Sequence, residues 1–121
     1  MRYALISDIH SNRQALNAVL TDVQCRDVDE IICLGDIVGY GPAPAEVLTT
    51  IYSRVSHIVV GNHDAVFAGK LNSSYFNDSA RLMLDWTQNE LDDRAREFLG
   101  NLPYVLEGQN FRCVHSQPAS P

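Results

Sequence analysis

Apolar residues follow two rhythms along this chain. Tyr3-Ala4-Leu5-Ile6 and Ile31-Ile32-Cys33-Leu34 are short apolar runs that stop against polar residues or glycine, Val55 to Val60 is a third, mostly apolar segment ending at Gly61, and each predicts a strand. Between them the spacing changes. Leu16, Val19, Leu20 and Val23 recur at i, i+3, i+4 and i+7 behind a capping Asn12, which predicts an amphipathic helix. From Pro44, residues Val47, Leu48, Ile51 and Tyr52 fall on one helical face. Strand and helix thus alternate over residues 3–60, as in βαβ units whose parallel strands are joined by right-handed crossovers.

Beyond Lys70 the rhythm becomes mostly helical. Asp78 or Ser79 is placed to cap a helix containing Leu82, Met83 and Trp86. Asp92-Asp93 is placed to cap another with Ala95, Phe98, Leu99 and Leu102, which Pro103 ends. Tyr104 to Leu106 and Phe111 to Val114 flank Glu107-Gly108-Gln109-Asn110 and predict a hairpin. The class expected is α+β with a βαβ start, as one domain over residues 1–121.

The composition narrows the partners more than the fold. With 121 residues, 45% of them hydrophobic and 20% charged, the chain can bury a real core. Its net charge of −6, with no basic run, argues against binding duplex nucleic acid. Cys25, Cys33 and Cys113 are odd in number and lack CxxC spacing, so they predict reduced, buried thiols. The N-terminal apolar run is too short for a leader or a membrane span, which points to the cytoplasm and away from a membrane.

Chemistry gathers where the strands end. Asp8 and His10 follow the first strand, Asp36 the second, Asn62 and His63 the third, and His115 the last. Parallel strands bring their carboxyl ends to one edge, so these oxygen and nitrogen donors converge in space. A mixed carboxylate, imidazole and amide set suits a transition metal better than calcium, and a shared carboxylate holds two ions about 3.5 to 4 Å apart. Asp8 and His10 alternate along what reads as extended chain, which turns both to one side and Ile9 inward. Gly35 and Gly61 leave room for close approach of a bulky ligand. Taken singly, each Asp is ordinarily a turn or cap residue and each His a surface or core residue; only the set points to metal. The aromatic residues Phe67, Tyr75, Phe76 and Trp86 read as core, and His57 as an ordinary strand residue.

In order, Asp8-Ile9-His10, Gly35-Asp36-Ile37-Val38-Gly39, Gly61-Asn62-His63-Asp64 and His115 resemble the D-x-H, G-D-x-x-G, G-N-H-D/E and lone-His motifs of the calcineurin-like metallophosphoesterases. The resemblance implies a mixed sheet flanked by helices, half of a two-sheet sandwich. It implies hydrolysis of phosphomonoesters or phosphodiesters of a small molecule or nucleotide by a hydroxide bridging two divalent ions (Mn, Fe, Zn, Ni or Co). Asp8 and His10 would bind the first ion, Asp36 both, and Asn62 and His115 the second. His63 would face the substrate, with Asp64 orienting its ring. The family's closing G-H-x-H motif is absent from these residues, so about half of a typical member is expected to be missing and activity to be impaired. An uncovered sheet face would then favour self-association. The rival reading is a metal- or phosphate-binding module without catalysis; a Rossmann-type nucleotide domain is disfavoured because no G-x-G-x-x-G turn follows the first strand.

Overall fold

Strand β1 (Tyr3–Ile6) leads through a tight loop to helix α1 (Arg13–Gln24), then β2 (Glu30–Cys33), helix α2 (Pro44–Arg54) and a two-residue β3 (His57–Ile58) in the computed structural model, which describes residues 1–117 apart from the side chain of Tyr75. The three strands form one parallel sheet in the order β1-β2-β3, with Tyr3 opposite Glu30, Ile6 opposite Cys33, and Cys33 opposite Ile58. A short helix α3 (Asn62–Phe67), a 3-10 turn (Ser73–Tyr75) and helices α4 (Asp78–Glu90) and α5 (Asp93–Gly100) follow. Strands β4 (Val105–Glu107) and β5 (Arg112–Val114) close the described chain as a separate antiparallel hairpin. The class is α+β, with parallel and antiparallel pairing kept in different sheets.

The helices begin where their caps dictate. The Asn12 side chain accepts from the Ala15 amide at 3.0 Å, Asn77 from Ala80 at 2.8 Å, and Asp92 from Ala95 at 3.0 Å. Asn77 therefore caps α4, one residue ahead of the expected Asp78 or Ser79. Pro44 opens α2, where its missing N–H removes nothing from the helix.

Leu16, Leu20, Val47, Leu48 and Ile51 pack from α1 and α2 against Ile6, Cys33, Ile37 and Val38, and Phe67, Leu84, Ala95 and Leu99 complete the core. Helix α4 buries Ala80, Leu84 and Thr87, while Leu82 is exposed and Trp86 stands 37% exposed, so Trp86 is a rim residue and not the core aromatic its type predicts. Small side chains on the buried stripe bring α4 close to its neighbours, and Gln88 Nε2 donates to the Phe67 carbonyl at 3.0 Å. The strand expected from Val55 to Val60 shrinks to two residues. Val59 and Val60 are buried, and each amide finds a backbone partner, Cys33 and Pro103 respectively. All three thiols are free, as expected; Cys33 is buried, with burial pushing its pKa up to about 12, but Cys25 lies on the surface and corrects the expectation of burial. Among the described residues no helix is long and apolar enough to cross a membrane.

Candidate metal and phosphate site

Each parallel strand releases its chain into a turn at the same edge of the sheet. Asp8 N donates to the Gly35 carbonyl at 2.9 Å, His10 N to Asp36 at 2.9 Å and Ser11 N to Ile37 at 2.8 Å, so the loop after β1 runs beside the loop after β2. The loop after β3 is pressed equally close. A Cβ on Gly35 would stand 2.5 Å from the Gly61 amide nitrogen, and one on Gly61 would stand 2.1 Å from the Asp36 nitrogen. These glycines admit one another's backbone, not a bulky ligand, which corrects the role expected of them.

The backbone here is held in conformations that side chains disfavour. Asp8, His10, Ser11, Asp36 and Tyr40 all have φ between 47° and 59°, in the left-handed region. Such residues cost about 1 kcal/mol or more apiece and persist where surrounding contacts over-determine them. Asp8 and His10 therefore do not alternate along extended chain. They meet because the loop coils, and Ile9 between them does enter the core.

Asp64 is the main reason the loops stay together. The side chain is fully buried, and its carboxylate accepts from the amides of Asp36 (2.9 Å), Ile37 (2.9 Å), Val38 (3.1 Å) and Gly61 (3.1 Å). Burial pushes its pKa up to about 6 against the pull of those amides. With both oxygens occupied by backbone donors, Asp64 does not orient the His63 ring. The expected contact is replaced by one to Asp36, whose Oδ2 lies 3.4 Å from His63 Nδ1 and whose Oδ1 accepts from the His63 amide at 3.0 Å.

Around Asp36 the donors converge. Its Oδ2 lies 3.5 Å from His10 Nε2, 3.4 Å from His63 Nδ1 and 3.4 Å from His115 Nε2; Asp8 Oδ1 is 3.5 Å from His10 Nε2. His115 Nδ1 donates to the Leu34 carbonyl at 2.7 Å and His10 Nδ1 to the Val38 carbonyl at 3.1 Å. A carbonyl can only accept, so in both rings Nδ1 carries a proton and Nε2 is turned toward the carboxylates, the orientation of a metal-binding histidine. For metal–ligand bonds of about 2.1 Å, neighbouring donors lie about 3.0 Å apart at right angles and about 3.4 Å apart in a tetrahedron. The observed spacings match the second value. Facing lone pairs at this range call for a cation between them, a proton or a metal ion.

Donor atoms form two groups that share Asp36: His10, Asp36 and His63 in one, Asp8, Asp36 and His115 in the other, each within 4.8 Å. The expected allocation set Asp8 with His10 and left His63 out, so the grouping differs while the central place of Asp36 is common to both. Asn62 completes the second group. Its Oδ1 is 3.0 Å from His115 Nε2 and 3.1 Å from both Asp36 oxygens, facing only acceptors; a half-turn of the amide would instead make it a donor to the same atoms. The first orientation suits a cation, the second an empty pocket. Burial, the Ser7 hydroxyl and the nearby His115 and His10 act on Asp8; burial alone would raise its pKa, but the other three together hold it below the usual carboxylate value. It is therefore an anion ready to bind.

His63 is only 7% exposed. Desolvation lowers its pKa, with His10 and His115 adding to the effect and Asp36 opposing it, so the ring is neutral. Its Nε2 is buried without a partner among the described residues. The ring is walled by His10, Tyr40 and Phe76, with centroids 4.7, 5.0 and 4.5 Å away. The ring expected to face the substrate is thus covered in this conformation. Tyr40 was not foreseen as a neighbour of the site, and Phe76, read as core, also stands beside His63; for Tyr40 the flanking Gly39 was the available signal, since a Cβ on Gly39 would press on the His63 ring at 3.2 Å. His57 stays outside, 3.5 Å from Glu30 on the surface. Ser116 and Gln117 are exposed beside His115, and Pro118 lies outside the described residues.

Comparison with known proteins places this arrangement. The family model described as calcineurin-like phosphoesterase matches residues 1–119. The uncharacterized protein MJ0912 of Methanocaldococcus jannaschii is 42% identical over 122 residues, covering 98% of this chain and 50% of that protein. A metallophosphoesterase from Sphaerobacter thermophilus superposes with a TM-score of 0.77 at 39% identity, over 93% of this chain and 45% of that one. The hypothetical protein PH1004 from Pyrococcus horikoshii has the same fold, with a TM-score of 0.74 at 24% identity over 86% of this chain and 48% of that one. The chain thus spans about half the length of the relatives it matches.

Proposed function

Because the chain belongs to the calcineurin-like phosphoesterase family, we propose that its strand-end cluster hydrolyses phosphate esters of a small molecule or nucleotide with a pair of divalent cations. The observation that carries this reading is the Asp36 carboxylate facing three imidazole nitrogens, two of them with the opposite ring nitrogen tied to a backbone carbonyl.

Asp36 would be the ligand common to both ions. Asp8 and His10, 3.5 Å apart, would complete one side of it and Asn62 and His115, 3.0 Å apart, the other, pairings that cut across the two donor groups around Asp36. When bound, divalent ions of this kind make water a nucleophile near neutral pH and offset the charge of the phosphoryl oxygens. The reaction adds a water oxygen to phosphorus and breaks the bond from phosphorus to the ester oxygen; the alcohol leaves with a proton from solvent. His63 keeps a place beside Asp36, where its neutral ring reaches the phosphoryl group once the Tyr40 and Phe76 walls adjust. Asp64 keeps a structural role, fixing the peptide units that carry Asp36 and Asn62.

The test is a paired measurement on wild type and Asp36→Asn. Wild type is expected to bind Mn2+ in calorimetry and to hydrolyse bis(p-nitrophenyl) phosphate, with turnover lost on chelation. Asp36→Asn is expected to lose turnover by at least a hundredfold and to bind Mn2+ weakly. A variant with full metal content and normal turnover would end the shared-ligand assignment. Wild type that binds Mn2+ but hydrolyses no ester would favour the non-catalytic module.

A further inference from the structure

Tyr40 stands in the strained loop after β2, and nothing in the metal reading explains it. Its φ of 57° is one that glycine adopts freely and an aromatic side chain does not, at a cost of about 1 to 2 kcal/mol. Glycine occupies the positions on both sides, Gly39 at φ 95° and Gly41. A large ring at the one remaining position is therefore held there against local preference.

The ring's surroundings show what it adds. Its centroid is 5.1 Å from that of His10 and 5.0 Å from that of His63, meeting them at 79° and 68°. Both contacts are edge-to-face, so neither imidazole stacks flat on the phenol. Tyr40 remains 44% exposed at a point where every neighbouring donor is polar. Phe76, half-buried, stands on the other flank of His63 at 4.5 Å. The cluster thus has a polar floor of Asp8, Asp36 and three histidines and an aromatic wall within one ring's width of it.

A pocket built in this way matches a ligand with the same two halves. We propose that Tyr40 is a specificity-determining residue that stacks on a planar aromatic group carried by the ester, an aryl ring or a nucleobase, while the phosphate lies on the Asp36 cluster. This rests on the phosphoesterase reading for the position of the phosphate. The role of the ring is recognition, and the hydrolytic step itself uses none of its atoms. The strain at Tyr40 is then of the kind found where a residue is kept for ligand contact.

The experiment measures binding, so it does not depend on turnover. Mn2+-loaded protein is titrated with phenylphosphonate and with methylphosphonate, which share the phosphonate and differ in the aromatic group. Wild type is expected to bind phenylphosphonate about tenfold more tightly, the size of one favourable aromatic pairing. Tyr40→Leu should bring the two affinities together by weakening phenylphosphonate alone, and Tyr40→Phe should keep the preference. Equal affinity in wild type, binding of neither compound, or a preference that survives in Tyr40→Leu would each overturn the proposal. Loss of methylphosphonate binding in both variants would also overturn it, because Tyr40 would then be shaping the metal cluster. An aromatic preference with no ester turnover would sink the phosphoesterase reading and leave this one standing.

Discussion

The two halves of this molecule obey local rules to very different degrees. From α4 onward each element does what its residues prefer: Asn77 and Asp92 cap helices, and Gly108 N closes the hairpin on the Phe111 carbonyl at 2.9 Å. Among residues 1–67 the loops after the three parallel strands carry five of the six non-glycine residues with positive φ, a buried carboxylate and two buried polar atoms, Ser11 Oγ and His63 Nε2, without partners among the described residues. Local conflict of that density is expected at functional sites and must be held by contacts made across the fold. The half that looks ordinary contributes one proposed ligand, His115 at the end of its hairpin; the half that breaks the rules supplies all the others.

The difference is sharpest at Asp64. Replacing it with alanine strands four buried amide donors at once. The expected loss is about 3 to 5 kcal/mol, enough to unfold many domains of this size. Asp64→Asn keeps one acceptor oxygen and is expected to fall between. Urea denaturation of the three proteins checks this. A loss below about 1 kcal/mol for Asp64→Ala would show that the loops are held by something else.

A smaller effect is expected at Gly61, where the conflict is steric. Its φ of −92° suits any residue, yet a Cβ there would stand 2.2 Å from Asp36 Oδ1. Gly61→Ala is therefore expected to cost about 2 kcal/mol and to move Asp36 away from its imidazole partners. Thermal unfolding should drop, and Mn2+ binding should weaken in the same protein. If stability falls while Mn2+ binding is unchanged, the close packing of these turns is unrelated to the donor cluster.

How much of this was legible in sequence follows the same division. Strand and helix order for β1, α1, β2 and α2 could be read because one face of each element is apolar and the periods differ. The strand-end donors could be read because parallel topology fixes which ends meet. Helix α3 could not: six residues are too few for a period, and Asn62-His63-Asp64 reads as loop chemistry. The role of Asp64 was also hidden, because a carboxylate that accepts backbone amides leaves no mark at its partners Ile37 and Val38, which look like core residues. Tyr40 follows directly on the Gly35 to Gly39 motif, but its backbone strain could not be inferred from sequence. Thus local preference predicts the scaffold, and long-range contacts decide which donor meets which.

The smallest effect should appear in the regular half, and it tests whether the halves are separable. Asp92 caps α5 by accepting from Ala95, and it lies in none of the donor groups around Asp36. Asp92→Ala is expected to cost about 1 kcal/mol, the usual value of such a cap. Mn2+ affinity and ester turnover should not change beyond error, since α5 meets α3 at the end away from Asn62 and His63: Leu99 shares the core with Phe67, and Arg96 lies over the Phe67 ring. Sites separated in this way lose stability independently of function. A cap substitution that altered Mn2+ binding by tenfold would instead mean that α5 sets the position of α3, and with it Asn62 and His63. Helix α5 would then be part of the site's machinery and more than its support.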